Sequence, residues 1–515
     1  MIINENSRGG IKMKKLTKAT LSVFLFVLMF VVSGIQAQAA SKAEIESTGT
    51  KMTLNKEVKG VLTSCTDENW FIFQVTQPGY FNLTFNTVYA DVNDIGDGWD
   101  VYIYDTNDLV NTIQEYRGQV NTFTTANFAM HTGTYYVMID AHDESHKSDA
   151  PINCEFGLTV NYQVDSTWEV EYNSETNVAN SKRLNSEIKG NLYHYKDEDW
   201  YKFTVDKSGV VEIVFSTQDY VDVRKLGDGW DIELWDTNLT KMTRTENVKG
   251  NYISQKYGLE AGTYYVLVDA SDESHKSDAP VACDYSLTLK YVVDTTWESE
   301  GNNTSDLADE IKVGTSYHGA LYQAQDNDWY KLNLSKSGVM KFDFAKNVNE
   351  SIQSVKEGWN VYFIDAKTNE SIFKMDAVET SANQQIALAK GTYFIRVCCE
   401  DKYSAPVGCQ YDFKVSFTQS PSKTKIKSIK SSKKKVTLKW KKVSGANGYY
   451  IYRSTSKKGT YKKVATIKKG TTVKYTDKKG LKKKKTYYYK IVAYKKANGI
   501  TATSADSAVK KVKVK

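Results

Sequence analysis

Apolar and polar residues alternate with a period of two along much of this chain. In residues 200–205, Trp200, Lys202 and Thr204 fall on one face and Tyr201, Phe203 and Val205 on the other. Residues 210–215 and 264–268 read the same way. A period of two places alternate side chains on opposite faces of a half-buried strand. The runs are short and separated by Gly, Asn and Asp turns, which predicts antiparallel β-sandwiches. No segment holds a helical period.

The alternating segments recur. Asp67-Glu68-Asn69-Trp70-Phe71 returns as Asp197-Glu198-Asp199-Trp200-Tyr201 and as Asp326-Asn327-Asp328-Trp329-Tyr330, at offsets of 130 and 129 residues. Gly98-Trp99-Asp100 returns at Gly229-Trp230-Asp231 and Gly358-Trp359-Asn360. Gly133-Thr134-Tyr135-Tyr136 returns at Gly262-Thr263-Tyr264-Tyr265 and Gly391-Thr392-Tyr393-Phe394. The order is the same each time, so the chain carries three homologous units. Each has about 125 residues, enough to bury its own core. The tryptophans invite a carbohydrate-stacking reading. Each lies inside a strand pattern, so core packing is expected for Trp70, Trp200 and Trp329 and for Trp99, Trp230 and Trp359.

Two regions depart from this pattern. Residues 1–39 combine a basic start (Lys12, Lys14, Lys15, Lys18), an apolar run over 21–32 and the small-x-small site Ala37-Gln38-Ala39. That is a secretory signal peptide. Its apolar run is too short for a spanning helix. The mature chain is expected outside the cell, secreted or associated with the cell wall, without a transmembrane anchor after cleavage. At the other end, residues 421–515 hold 31 Lys+Arg against two acids, Asp477 and Asp506, a net of +29. The preceding 420 residues hold 37 basic and 59 acidic residues, a net of −22.

The units are therefore read as 40–165, 166–293 and 294–419, followed by a basic domain at 420–515. The order D-x-D-W-[YF]-x-F, G-W-D-[VI], then G-T-Y-Y-[VI] resembles the bacterial pre-peptidase C-terminal family. That family is a jelly-roll-like sandwich and includes the collagen-binding domains of clostridial collagenases. The resemblance covers residues 41–419. It implies accessory modules that bind matrix or assist secretion, here in three copies with no enzyme attached. In the basic domain, Leu481 is followed by Tyr487, Tyr489, Ile491 and Ala493. This is similar to the fibronectin type III pattern, in which Tyr487 is the tyrosine corner and, with Trp440, a core residue. The fold class is then all-β: three tandem jelly-roll-like sandwiches and a fibronectin type III sandwich.

Acidic residues suggest metal chemistry. Glu169, Glu171 and Asn173 precede the second unit, and Glu298, Glu300, Asn302 and Asn303 the third. The first Glu lies 28 residues before the first Asp of D-x-D in both (169 to 197, 298 to 326). Ca²⁺ takes six to eight oxygen ligands. If the segment folds back, Asp197 and Asp199, or Asp326 and Asp328, complete the set. The pattern is similar to the linker calcium site of the collagen-binding domains. The first unit departs from it. Glu44 and Glu46 stand closer to Asp67, no Asn follows them, and Asn69 replaces the second Asp.

A second cluster, Asp143, Glu144, His146 and Asp149, is mirrored by Asp272, Glu273, His275 and Asp278. It reads either as a ligand-binding loop or as a polar hairpin. Its histidines do not fit the helical H-E-x-x-H zinc pattern. The cysteines leave two readings: bridges such as Cys65–Cys154 and Cys398 or Cys399 to Cys409, or buried thiols.

No nucleophile elbow, phosphate loop, zinc protease motif or dinucleotide fingerprint is present, so a non-catalytic protein is expected. Its partners are expected to be an extracellular polysaccharide or matrix protein for the sandwiches. The basic module is expected to attach to an anionic cell-wall polymer, with Lys482, Lys483, Lys484 and Lys485 as the polyanion contact. Lysines without Arg forks give no base readout, so no specific nucleic acid is expected. The alternatives are a calcium-stiffened spacer and an accessory subunit of a secreted hydrolase.

Overall fold

The computed structural model describes residues 41–87, 95–105, 109, 112–142, 150–217, 226–271, 279–281, 283–347, 357–401, 403, 405–497 and 499–515. The segment read as a signal peptide, residues 1–39, lies outside them, as do all eight residues of the predicted ligand loops: Asp143, Glu144, His146, Asp149, Asp272, Glu273, His275 and Asp278. No helix of the described residues is long and apolar enough to cross a membrane.

One short helix, Lys42–Thr48, departs from the all-strand expectation. Seven residues are too few for a periodic signal, and the helix is marked locally instead by Ser41, whose hydroxyl accepts the Glu44 N–H at 3.4 Å.

From Gly49 onward the described residues are all-β: three tandem jelly-roll-like sandwiches and a fibronectin type III sandwich. In the second sandwich one sheet runs Asn180–Ser181, Glu198–Val205, Gly262–Ala270, Trp230–Trp235, Lys241–Val248. The other runs Glu187–Gly190, Tyr285–Val293, Gly209–Thr217, Tyr252–Ile253, with Tyr257–Leu259 also paired to Gly209–Thr217. The first sandwich has the same order in both sheets, and the third differs only in merging the last two short strands into Ser381–Leu388. In every copy the first strand pairs parallel to the D-x-D strand or its equivalent.

Alternation decides what each core contains. Tyr201, Phe203 and Val205 point inward and are buried in the second core with Val211, Ile213 and Phe215. Trp99, Trp230 and Trp359 are fully buried at equivalent positions. The glycine before each adopts a positive φ (+85°, +88° and +79°). A Cβ there would meet backbone carbonyl oxygens of Gln119, Val248 and Val378 at 2.5–2.6 Å. Only glycine fits that turn, which explains the repeated Gly-Trp pair.

Trp70 and Trp329 correct the core expectation: they are only half-buried, on the outer face of the same sheet, because each precedes an inward residue of the D-x-D strand. Trp200 lies on that face too but is buried, as expected. The Trp70 and Trp200 indoles donate to Glu68 and Glu198 at 2.9 Å. The basic module packs two sheets, one of Ile426–Ser432, Lys435–Trp440 and Lys474–Asp477 and one centred on Thr486–Ala497. Tyr487 is its corner: the Lys482 N–H donates to its hydroxyl at 3.0 Å, and that hydroxyl donates to Gly480 O at 3.3 Å. Trp440 is buried against Tyr449, with ring centroids 5.2 Å apart. No disulfide joins the six cysteines, of which Cys154, Cys283, Cys398 and Cys409 are buried.

Candidate metal centre

The segment ahead of each of the last two sandwiches folds back onto it. Trp168 pairs in parallel with Lys189, and Trp297 with His318. The Glu169 N–H donates to Lys189 O at 2.8 Å, and the Glu298 N–H to His318 O at 2.9 Å. Two residues past the second glutamate, the Asn173 carbonyl accepts the Trp200 N–H, and the Asn302 carbonyl the Trp329 N–H, both at 3.2 Å. The linker is thus pinned beside the start of the D-x-D strand.

This brings Glu169, Glu171, Asn173, Asp197 and Asp199 together and buries all five. Glu171, Asp197 and Asp199 each offer an oxygen within 4.8 Å of the other two. Both oxygens of Glu169 are engaged by protein donors. Its Oε1 accepts the Asn191 N–H at 2.8 Å, and its Oε2 accepts the Tyr201 hydroxyl at 2.5 Å and the Asn173 amide at 3.2 Å. Asp197 and Asp199 are each held by one oxygen, from the Tyr193 N–H at 3.0 Å and the Tyr285 hydroxyl at 2.5 Å. Five oxygens remain buried without a hydrogen-bond partner: both of Glu171, and Oδ1 of Asn173, Asp197 and Asp199.

Buried polar atoms are almost always paired, so five orphans of one kind in one place are exceptional. An all-oxygen set rich in carboxylate fits a hard divalent cation such as Ca²⁺. The electrostatics agree. Burial raises the Glu169 carboxyl to about 7. Burial pushes Glu171, Asp197 and Asp199 well above the usual carboxylate range, and their mutual repulsion pushes in the same direction. Four acidic groups share one site with no cationic side chain of a described residue paired to them, a cost that a bound cation would offset.

The third sandwich repeats the arrangement with fewer open oxygens. Glu298 is likewise engaged: the Ala320 N–H donates to its Oε1 at 2.6 Å and the Tyr330 hydroxyl to its Oε2 at 2.7 Å. Both oxygens of Glu300 and Oδ1 of Asn302 and Asp328 are buried and unpartnered. Asp326 spends Oδ1 on the Asn327 N–H and Oδ2 on the Tyr322 N–H, at 2.8 and 2.9 Å. Asn303 is not equivalent to Asn173. Its Oδ1 accepts the Asn327 N–H at 3.1 Å. Burial raises Glu298 to about 8 and Asp326 to about 7.

The first sandwich has no counterpart among the described residues. Asp67 is saturated by its own turn: Thr63 and Ser64 N–H groups donate to Oδ2 at 2.7 and 2.9 Å, and the Ser64 hydroxyl to Oδ1 at 2.6 Å. Those bonds hold its carboxyl below the usual range. Glu44 and Glu46 lie exposed on the short helix.

Three residues at the junction of the first and second sandwiches were not singled out by the sequence pattern. Asn127 and Asn191 both donate to Asp284, each at 2.8 Å, and Asn191 also donates to Asn127 O at 2.7 Å. Asn191 N–H simultaneously holds Glu169, so the junction and the acidic site share a residue. Asp309 of the third sandwich was also missed. It accepts Ser299 N–H at 2.9 Å and the Asn302 amide at 3.1 Å. The 129-residue repeat pairs it with Asn180, which holds Val170 in the same way.

The outward tryptophans head a second feature. Trp70 lies 5.5 Å from Tyr104, Trp200 lies 5.5 Å from Trp235, and Trp329 lies 5.9 Å from Phe394. Each sandwich therefore carries an aromatic outer sheet face.

No family model matches the chain. Among solved structures it is similar to the pre-peptidase C-terminal domain of a collagenase from Bacillus anthracis. That alignment has 19% identity, covers 22% of this chain and 94% of that one, and has a TM-score of 0.18. It is also similar to an Fn3-like protein from Clostridium thermocellum (32% identity, 17% of this chain, 86% of that one, TM-score 0.14). A third similar structure is the spore cortex lytic enzyme SleM of Clostridium perfringens (15% identity, 25% of this chain, 34% of that one, TM-score 0.14).

Proposed function

We propose that this chain is a secreted, non-catalytic binding protein whose second and third sandwiches are clamped to their linkers by Ca²⁺. The reading rests on the five unpartnered buried oxygens of Glu171, Asn173, Asp197 and Asp199. Glu171, Asn173, Asp197 and Asp199 would hold one ion, and Glu300, Asn302 and Asp328, with Asp326 beside them, a second. The cation supplies positive charge that the site lacks. The chain's own residues do the positioning. Asn173 and Asn302 tie the linker to the strand, Glu169 and Glu298 orient the tyrosines, and the tyrosines aim the aspartates.

With its linkers clamped, the array presents three aromatic outer faces in fixed register. Those faces suit an extended extracellular polysaccharide or matrix protein, where weak sites in series gain effective concentration. The basic module would attach the array to an anionic cell-wall polymer. The spacer reading shares the clamp and lacks only the ligand. The half-buried rings of Trp70, Trp235 and Trp329 on those faces favour display over mere spacing.

Calorimetric titration of Ca²⁺ into the chain lacking residues 1–39 tests the clamp. Near two ions per chain are expected, with one lost in Asp199→Asn and one in Asp328→Asn. Absence of both heat and thermal stabilisation would remove the calcium reading.

A further inference from the structure

The basic module gathers lysines from three separate segments at one end. The hairpin turn joining Ile426–Ser432 to Lys435–Trp440 consists of Lys433 and Lys434. Both have positive φ, 38° and 58°. A two-residue turn with both φ values positive strongly prefers Asn-Gly, because a Cβ is strained there. Lys484, in the turn before Thr486–Ala497, also has positive φ, 64°. Elsewhere in the described residues the positive-φ non-glycines are most often asparagine, which tolerates that region.

Backbone bonds tie the two turns to residues 514 and 515. Lys434 N–H donates to Lys515 O at 3.1 Å, Lys484 N–H to Val514 O at 2.9 Å, and Val514 N–H to Lys485 O at 3.0 Å. Lys515 N–H donates to the Ser431 hydroxyl at 2.9 Å. Between them lies a groove of about 650 Å³ lined by Ser432, Lys433, Lys434, Lys483 and Lys515. No acidic side chain lines it, and none of these four ammonium groups pairs with a carboxylate of a described residue. Strained turns that hold like charges together oppose folding, and such local conflicts concentrate at functional sites.

We infer that this groove is a binding site for a linear phosphate polymer. The inference rests on the polyanion part of the proposed function and replaces its run of four lysines with a three-segment site. Of Lys482–Lys485, only Lys483 lines the groove, because the chain turns at Lys484 and the Lys482 N–H is committed to the tyrosine corner. Lysine ammoniums are compact point charges that match phosphates without requiring a planar fork. The groove runs between the two turns and residue 515, so a flexible strand following it can reach all four ammonium groups.

The test uses the chain lacking residues 1–39 and two probes, inorganic polyphosphate and poly(glycerol phosphate). K433N/K434G removes two charges while installing the preferred turn residues, so its melting temperature should not fall. A control, K462Q/K463Q, removes two exposed charges from the strand Lys462–Ile467, away from the groove. The groove predicts at least tenfold weaker binding of both probes by K433N/K434G. It also predicts a salt slope lower by roughly one to two, and less than a threefold change in the control. The tighter of the two probes identifies the source of the phosphate. Equal losses in both variants would overturn the groove and leave diffuse charge attachment standing. Equal affinity for polygalacturonate would overturn the phosphate assignment. If the wild type binds neither probe, both readings fail. A salt-sensitive dimer that K433N/K434G abolishes, without phosphate binding, would assign the groove to a second copy instead.

Discussion

The Tyr285 hydroxyl donates to Oδ2 of Asp199 at 2.5 Å and leaves Oδ1 buried and unpartnered. Tyr411 does the same for Asp328 in the next sandwich. The tyrosine comes from the opposite sheet, so the core itself aims the carboxylate. Tyr285→Phe removes that aim and leaves the ring in place. Groups that orient metal ligands typically contribute 10–100-fold in affinity. We expect roughly tenfold weaker Ca²⁺ binding at one of two sites, read by calorimetry. Unchanged affinity would show that Asp199 does not need its tyrosine.

The two sites should differ. Asp197 keeps Oδ1 open, whereas both oxygens of Asp326 accept backbone N–H groups. A site that must break a backbone bond to gain a ligand binds more weakly. The Asp199→Asn variant should therefore lose the tighter of two calcium steps and Asp328→Asn the weaker. The reverse assignment would contradict the count of open oxygens.

Without calcium, stability should fall as pH rises. Glu169 and Glu298 titrate ordinarily near 4.5 and are raised to about 7 and about 8 by burial. A raised folded value means the proton is held more tightly in the fold than in the unfolded chain. The associated stability is complete below about 4.5 and is lost as pH climbs through 7 and 8. With chelator present, the melting temperature should drop by several degrees between pH 5 and pH 8.5. Saturating calcium should flatten or reverse that trend, and loading should release protons. A chelated protein more stable at pH 8.5 than at pH 5 would exclude buried, uncompensated carboxyls.

The tryptophans separate by face. Trp230→Ala empties a fully buried position and should cost about 3–5 kcal/mol. Trp70→Ala truncates a half-buried outer ring that contacts Tyr104, and should cost about 1–2 kcal/mol. Differential scanning calorimetry on the full array distinguishes them, since only the first should lower one domain's transition strongly. If Trp70 belonged to the core, the two losses would be comparable.

Much of this was legible beforehand because repetition samples the same fold three times. Period-two alternation separated Tyr201, Phe203 and Val205 from Trp200 and Lys202, and the Gly-Trp pair marked the repeat. The acidic residues of the second and third units were visible from a shared spacing of 28 residues. Their division into engaged and open oxygens was not. Glu169 and Glu171 look alike in sequence, yet one receives three hydrogen bonds and the other none from side chains or backbone donors to its buried oxygens.

The same limit applies to the lysines. Local spacing displays Lys482–Lys485 as a block, but a turn disperses neighbours and tertiary pairing unites residues 433 and 515, far apart in the chain. Sequence by itself determined the strands, their inward faces, the repeat and the charge division, because each follows from local geometry and composition. Only the tertiary structure decided which oxygens lack a partner and which ammoniums share a groove. Hydrogen bonds are short-ranged and saturable, so a group's availability depends on neighbours that folding alone brings within reach.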